Sequence, residues 1–242
     1  MKPLLVSEVF GPTFQGEGRF TGHPAMFVRL GLCNLDCSWC DTPYTWDWSR
    51  FDRSTELTSY TETKLWDLSA QIVEAGPDLV VVSGGEPLVQ QAALTGFLSH
   101  LSVQPDDVPF TFQVETNGTL PPSQDLLDLV DWWSVSPKLG HATGNPAVNS
   151  PKAEEALEVF TDLSCSRGTV DWKFVCQTVG DVDEVAAITV RHHLPASSVW
   201  IMPEGVTVEA MQRPDLAEAA LLHGFNMTTR LHVLLWGTMR GK

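Results

Sequence analysis

The stretch Ala25-Met-Phe-Val-Arg-Leu-Gly-Leu-Cys-Asn-Leu-Asp-Cys-Ser-Trp-Cys-Asp-Thr-Pro43 joins a short apolar run to a loop with three cysteines at C-x3-C-x2-C spacing. Ala25 to Leu30 is too short for a helix and reads as a buried strand with one charge, Arg29, inside it. Cys33, Cys37 and Cys40 follow at once, at the carboxyl end of that strand. In parallel α/β proteins ligand-binding groups gather at such ends, because loops there vary without disturbing the core.

The same alternation repeats downstream. Asp78 to Ser83 is a second β-branched run, and between the two runs Leu65, Leu68, Ile72 and Val73 mark an amphipathic helix over Lys64 to Ala75 that stops at Gly76-Pro77. Further helices are expected near 89–101, 123–130, 152–163, 182–192 and 208–223, and strands near 110–115, 132–135, 170–175, 199–201 and 228–235. This βα order predicts an α/β fold with a mostly parallel sheet and helices outside, curled into a full, partial or modified (β/α) barrel. With no internal repeat, low-complexity tract or linker, 1–242 reads as a single domain. An aromatic, charged insert at 45–60, with Trp46, Trp48 and Phe51, is expected to be a lid, a dimer contact or local packing; 105–109 and 140–150 read as surface loops.

At 242 residues, 43% hydrophobic and 19% charged, the chain has enough apolar material for one barrel-sized core. A net charge of −15 argues against a broad nucleic-acid surface, yet a small anionic ligand needs only one or two cations such as Arg29 or Lys138. No stretch approaches the roughly 18 apolar residues of a membrane span, and Met1 to Gly11 lacks the apolar run of a secretory signal. Three of the five cysteines crowd one loop, which does not suit a disulfide framework. A cytoplasmic protein without nucleic-acid or membrane partners is expected, with Cys165 and Cys176 as incidental or buried thiols.

Three thiolates in a tight loop suit a soft metal site. A [4Fe-4S] cluster on three cysteines leaves one iron open to an outside ligand, whereas structural zinc closes its shell with a fourth ligand, for which His23, His232 and, more weakly, Asp41 are candidates. The spacing leaves both readings open. Other strand ends add Ser83-Gly-Gly-Glu-Pro87, Glu115-Thr-Asn-Gly-Thr119 and Ser136-Pro-Lys138. Paired glycines allow a backbone to approach a ligand and Glu86 can accept from an ammonium group, although each motif alone also reads as a turn.

Together these motifs resemble the radical S-adenosylmethionine superfamily, whose signature C-x3-C-x-aromatic-C reads here Cys33, Cys37, Ser38, Trp39, Cys40. Within it the chain is similar to the 7-carboxy-7-deazaguanine synthase family from its first strand to its tail. The matching motifs are Glu8-Val-Phe-Gly11 leading into Phe14-Gln-Gly-Glu-Gly18, Phe27-Val-Arg29, Cys40-Asp-Thr42, the three strand-end motifs above, Lys173-Phe-Val175, Met202-Pro-Glu-Gly205, and Arg230-Leu-His232 with Leu235-Trp-Gly237.

The resemblance implies a lyase of queuosine and 7-deazapurine biosynthesis. Such an enzyme contracts 6-carboxy-5,6,7,8-tetrahydropterin to 7-carboxy-7-deazaguanine with loss of ammonia, using a [4Fe-4S] cluster, S-adenosylmethionine and Mg2+. By resemblance Cys33, Cys37 and Cys40 hold the cluster and Thr42 the Mg2+. S-adenosylmethionine would meet Ser38, Trp39, Gly84, Gly85, Glu86, Ser136, Pro137 and Lys138, with Met202, Pro203, Glu204 and Gly205 near its adenine. The pterin would meet Phe14, Gln15, Gly16, Glu17, Ser83, Glu115 and His232, with Arg29 on its carboxylate, where a bidentate guanidinium suits better than an ammonium. For Glu17 and Glu115 a solvated or capping role is the alternative, and for His232 a core histidine. The resemblance also implies an external one-electron donor such as flavodoxin or ferredoxin, and a homodimer. A glycyl-radical-activating enzyme shares the cysteine spacing and the Gly-Gly-Glu turn; a non-catalytic zinc or iron-sulfur module would share the cysteines alone.

Overall fold

A computed structural model describes residues 2–103 and 109–242; residues 105–108 of the expected 105–109 loop lie outside the described residues. Nine strands, β1 (Leu4–Phe14), β2 (Pro24–Leu30), β3 (Thr58–Tyr60), β4 (Leu79–Gly84), β5 (Thr111–Thr116), β6 (Trp132–Val135), β7 (Val170–Cys176), β8 (Val199–Pro203) and β9 (Asn226–Met227), share one sheet in the order β3-β1-β2-β4-β5-β6-β7-β8-β9. The helices are α1 (Arg53–Glu56), α2 (Glu62–Ala75), α3 (Gln91–Ser102), α4 (Gln124–Leu129), α5 (Pro151–Arg167), α6 (Val179–Arg191), α7 (Val208–Met211), α8 (Pro214–His223) and α9 (Leu231–Trp236).

From β2 the sheet grows through β4 to β9, each strand added parallel to the last and on the same side. Right-handed crossovers repeated in one direction put the connecting helices on one face, and the other face curls into a concave interior. The strand residues obey this division. Val80, Val82, Val114, Trp133, Trp172, Phe174 and Ile201 form one core with Leu68, Phe97, Phe160 and Leu216 from the helices. A second, smaller cluster of Ala25, Phe27, Leu79 and Val81, joined by Phe10 and Phe20, fills part of the interior. Burying a side chain such as Phe97 or Phe160 contributes on the order of 1.5–3 kcal/mol.

The barrel does not close, because β1 runs antiparallel to β2 and carries β3 on its outer edge. The β1–β2 connection, residues 15–23, turns into the opening instead. Gln15 reaches Gln113 of β5 at 2.8 Å, the Gly18 N–H donates to Thr228 Oγ1 at 2.8 Å, and the Leu231 N–H donates to the Gly16 carbonyl at 2.9 Å. Arg19 of the same connection pairs with Asp171 of β7 at 3.1 Å, and the indole N–H groups of Trp132 and Trp200 donate to that carboxylate at 2.9 and 3.0 Å. Asp171, Trp132 and Trp200 lie near the amino ends of their strands, so this paired, buried carboxylate closes the floor.

Three departures from the expected elements have local causes. The expected 208–223 helix breaks into α7 and α8, since Pro214 cannot continue a helix but suits the first turn of a new one. The expected 228–235 strand does not form: β9 ends at Met227, before it begins, and Leu231–Trp236 is the helix α9, whose Trp236 stacks on Phe14 with ring centroids 6.2 Å apart. Helix α6 begins three residues early because Thr178 and Asp181 form a reciprocal capping box. Strand β1 had no counterpart among the expected strands. The 45–60 segment follows from a turn at Pro43–Thr45 and supplies α1 and the whole of β3.

Candidate active site

The cysteine loop is anchored on both sides. Leu32, just before Cys33, sits at φ +67, a left-handed conformation that costs a leucine on the order of 1–2 kcal/mol. It is held there because its N–H donates to the Thr45 carbonyl and its own carbonyl accepts from the Glu86 N–H, both at 2.8 Å. Gly84 and Gly85 face this backbone closely: a methyl at Gly84 would overlap Leu30, and one at Gly85 would overlap the Leu32 carbonyl. The paired glycines therefore dock the strand end against the cysteine loop itself. Glu86 completes the joint. Its carboxylate is fully buried and accepts from the Leu88 N–H (2.9 Å), the Thr116 hydroxyl (2.8 Å) and the Asn117 N–H (2.7 Å), linking the ends of β4 and β5.

Above the floor lies a cavity of about 570 Å3, within the usual range for small-ligand sites. Cys33, Cys37 and Cys40 form one lip. The Leu35 N–H donates to Cys33 Sγ at 3.4 Å and the Trp46 indole N–H to Cys40 Sγ at 3.3 Å. Burial pushes the Cys33 thiol up to about 12 and also raises Cys37, so thiolates here call for a soft cationic partner. Hydrogen-bonded sulfurs on one short loop fit an iron-sulfur cluster. Among the described residues no three His, Cys, Asp or Glu side chains converge on a single-ion site, the geometry zinc requires, and His23 bonds instead to the Phe20 carbonyl at 3.0 Å.

The wall concentrates positive charge within an acidic chain. Arg29, Lys138, Lys173, Arg230, Arg240 and Lys242 line it against four carboxylates, Glu8, Glu17, Asp41 and Glu115. Glu17 is ion-paired with Lys173 on one oxygen and with Arg230, at 2.9 Å, on the other. Burial alone would raise the Glu17 carboxyl, but Lys173 and Arg230 outweigh it and hold the group well below the usual carboxylate range. Lys173 also faces Glu115 at 3.8 Å; burial opposes its charge, and these carboxylates raise it above its ordinary value. Arg230 bridges Glu17 to Asp41 and donates to the Gly205 carbonyl at 3.0 Å.

At the opposite lip, Arg29 Nε donates to Glu8 at 2.9 Å and its guanidinium lies 5.3 Å from the Phe10 ring centroid. Its terminal Nη groups have no protein partner among the described residues. Glu8 also accepts from the Tyr44 hydroxyl at 3.0 Å and pairs with Arg240, which stacks on Tyr44 at 3.9 Å and reaches Glu56 at 3.0 Å. Lys138 is half-buried, with its ammonium 2.9 Å from Ser136 Oγ and 5.3 Å from the Trp39 ring; desolvation lowers it from its ordinary value.

Of the residues singled out in the sequence, Phe14, Gln15, Glu17, Arg29, Cys33, Cys37, Trp39, Cys40, Thr42, Ser83, Gly84, Gly85, Glu115, Ser136, Lys138, Met202 and His232 line this one cavity. Gly16, Ser38, Glu86, Pro137, Pro203, Glu204 and Gly205 do not. Gly16 leaves room for the His232 ring, and Ser38 turns outward to the Ala142 carbonyl. The wall also contains Glu8, Tyr44, Trp46, Asn117, Lys173 and Arg230, none of which was assigned a ligand role from the sequence, together with Asp41, which was considered only as a zinc ligand, and the tail residues 237–242. Lys173 and Arg230 stood inside quoted motifs; their inward pairing with Glu17 was the missing signal.

A parallel, open βα barrel with a three-cysteine loop at the end of its second strand defines a radical S-adenosylmethionine fold and site. A family model described as a 4Fe-4S single cluster domain matches residues 14–152. The chain is 35% identical to the 7-carboxy-7-deazaguanine synthase of Pyrobaculum aerophilum, over 99% of this chain and 97% of that one. It is 31% identical to the enzyme of the same name from Rhodopirellula baltica, over 98% and 88%. A crystal structure of QueE from Escherichia coli superposes with a TM-score of 0.64 at 23% identity, covering 95% of each chain. A structure of anSMEcpe with bound AdoMet superposes at 0.52, covering 84% of this chain and 64% of that one. The chain belongs to the 7-carboxy-7-deazaguanine synthase family. It is an iron-sulfur, S-adenosylmethionine-dependent enzyme.

Proposed function

We propose that this chain performs the ring contraction of 6-carboxy-5,6,7,8-tetrahydropterin to 7-carboxy-7-deazaguanine, with loss of ammonia, on a site formed by the residues of this cavity. The observation that carries the assignment is that the cysteine loop and the Glu8-oriented Arg29 open on the same cavity. A carboxylated bicycle held by Arg29 would then lie beside the cluster loop. When bound and reduced, the cluster supplies the electron that cleaves S-adenosylmethionine and so allows hydrogen to be taken from the substrate.

The chain's own contribution is binding and orientation. Cys33, Cys37 and Cys40 would hold the cluster, which would supply the electron for cleavage of S-adenosylmethionine. Lys138 and Ser136 meet its carboxylate and ribose, Trp39 and Met202 flank its adenine, and the backbone of Gly84 and Gly85 receives its amino group. Arg29 pairs with the pterin carboxylate, and Phe14, Gln15, Ser83, Glu115 and His232 meet the ring edge. The Thr42 hydroxyl faces the cavity and serves as a protein oxygen for Mg2+, which tolerates a sparse protein shell. The proposal includes residues 1–242 acting as one unit, an external one-electron donor such as flavodoxin or ferredoxin, a homodimer, and a cytoplasmic setting that suits a reduced thiol loop. No helix among the described residues is long and apolar enough to cross a membrane.

Reduced, anaerobically reconstituted protein supplied with S-adenosylmethionine, Mg2+ and the carboxypterin should yield the deazaguanine by mass. Absence of product despite an intact, reducible cluster would overturn the substrate assignment. Arg29→Lys should raise KM at least tenfold, since an ammonium cannot bond both Glu8 and a bidentate carboxylate.

A further inference from the structure

Trp46 lies in the 45–60 segment, outside every strand-end motif, yet its position is closely built. Thr45, fully buried, donates its N–H and hydroxyl to the Thr42 carbonyl at 3.0 and 2.8 Å, while its own carbonyl takes the Leu32 N–H. The Trp46 N–H donates to the Pro43 carbonyl at 3.1 Å. Both ends of the cysteine loop, Leu32 and Thr42, are thus tied to the residue that precedes Trp46. From this mount the indole N–H, a donor with no acceptor capacity, meets Cys40 Sγ at 3.3 Å. Cys33 has only a backbone donor, and Cys37 Sγ has no hydrogen-bond donor among the described residues.

We infer that Trp46 is a positioning residue that raises the reduction potential of the cluster through its hydrogen bond to the Cys40 sulfur. One electron from an external donor makes the cluster and its thiolates more negative, and a fixed N–H donor stabilises that state more than the oxidised one. The 45–60 segment therefore acts on the cluster directly, by supplying this donor. The inference rests on the cluster assignment, and its test separates the two.

Full-length wild type, Trp46→Phe, Trp46→His and Trp48→Phe are reconstituted anaerobically, analysed for iron and sulfide, and titrated potentiometrically by electron paramagnetic resonance without S-adenosylmethionine. Trp46→Phe should lower the equilibrium constant for one-electron reduction at least about threefold, a shift of roughly −28 mV at 59 mV per tenfold. Trp46→His, which restores a ring N–H, should recover most of that shift, and Trp48→Phe should match wild type. Equal potentials in wild type and Trp46→Phe overturn the inference. If Trp46→Phe retains no cluster, Trp46→His decides: a retained cluster near the wild-type potential supports it, whereas a displaced potential or loss from both variants overturns it in favour of packing. Failure of the wild type itself to take up iron and sulfide would overturn the cluster assignment, and the inference with it.

Discussion

Glu17 sits largely enclosed between Lys173 and Arg230, its side chain 11% exposed, so removing one cation leaves a charge that desolvation penalises. Lys173→Met should cost about 3 kcal/mol in urea unfolding, with part recovered in the Glu17→Gln double variant; equal losses in single and double variants would mean the pair is uncoupled. The pH dependence follows from the shifts. Glu17 is depressed, so its contribution is present above its ordinary 4.5 and lost as pH falls below that. Lys173 is raised, so its contribution holds below 10.5 and is lost at higher pH. His232 is lowered by burial and by Arg230 despite Glu17, and stability falls as pH drops below 6.5 and the unfolded chain takes up its proton. Replacing His232 with Gln should flatten the unfolding free energy between pH 6.5 and 4.5; an unchanged slope would show that another group titrates there. Motif reading reached Glu17 and His232 because their residue types suggest ligand contact. It did not reach the Glu17–Lys173 pair, whose members are 156 residues apart, or the Trp46 sulfur contact, which leaves no periodic trace.

At the scale of elements, the Gly84-Gly85 pair has a different consequence from the one its composition suggests. Both lack side chains because β2 and the cysteine loop occupy that space. Gly85→Ala should therefore displace Leu32 and Cys33, lowering iron content after reconstitution and costing roughly 1–3 kcal/mol. Gly144→Ala, where a methyl meets nothing within 4 Å, should leave both unchanged. Matching iron contents in the two variants would remove the glycine joint as an explanation. The parallel strands other than β9 were legible as short apolar runs that alternate with 3.6-periodic segments. β1 was not: Leu4–Phe14 mixes exposed and buried positions with a bulge at Phe10–Thr13 that blurs its alternation. The apolar run of α9 satisfied either period, and only its packing on Phe14 decides for a helix.

Across the whole molecule, a cavity lined by six cations contrasts with a net charge of −15. The acidic exterior repels a carboxylated substrate at long range, while the cavity attracts it at short range. Salt screens the outer field over about 10 Å at 0.1 M but reaches partly buried pairs much less. Raising ionic strength from 0.02 to 0.2 M should therefore leave KM for the carboxypterin within about twofold, with kcat unchanged. A tenfold rise in KM would mean that exposed charges do the binding.

The connection at residues 15–23 bears on how the molecule assembles over time. It joins the first two strands, yet its partners are Gln113, Asp171, Lys173, Thr228 and Leu231, up to 215 residues later (Gly16 to Leu231). High sequence separation makes such contacts slow to form, because loop-closure entropy is spent before they contribute. On a ribosome the three cysteines are made well before Lys173 and the Thr228–Leu231 segment of the wall opposite them. A nascent polypeptide therefore carries its thiols exposed until β7 and the Thr228–Leu231 segment reach the 15–23 connection, and a protected cavity for the cluster forms only then.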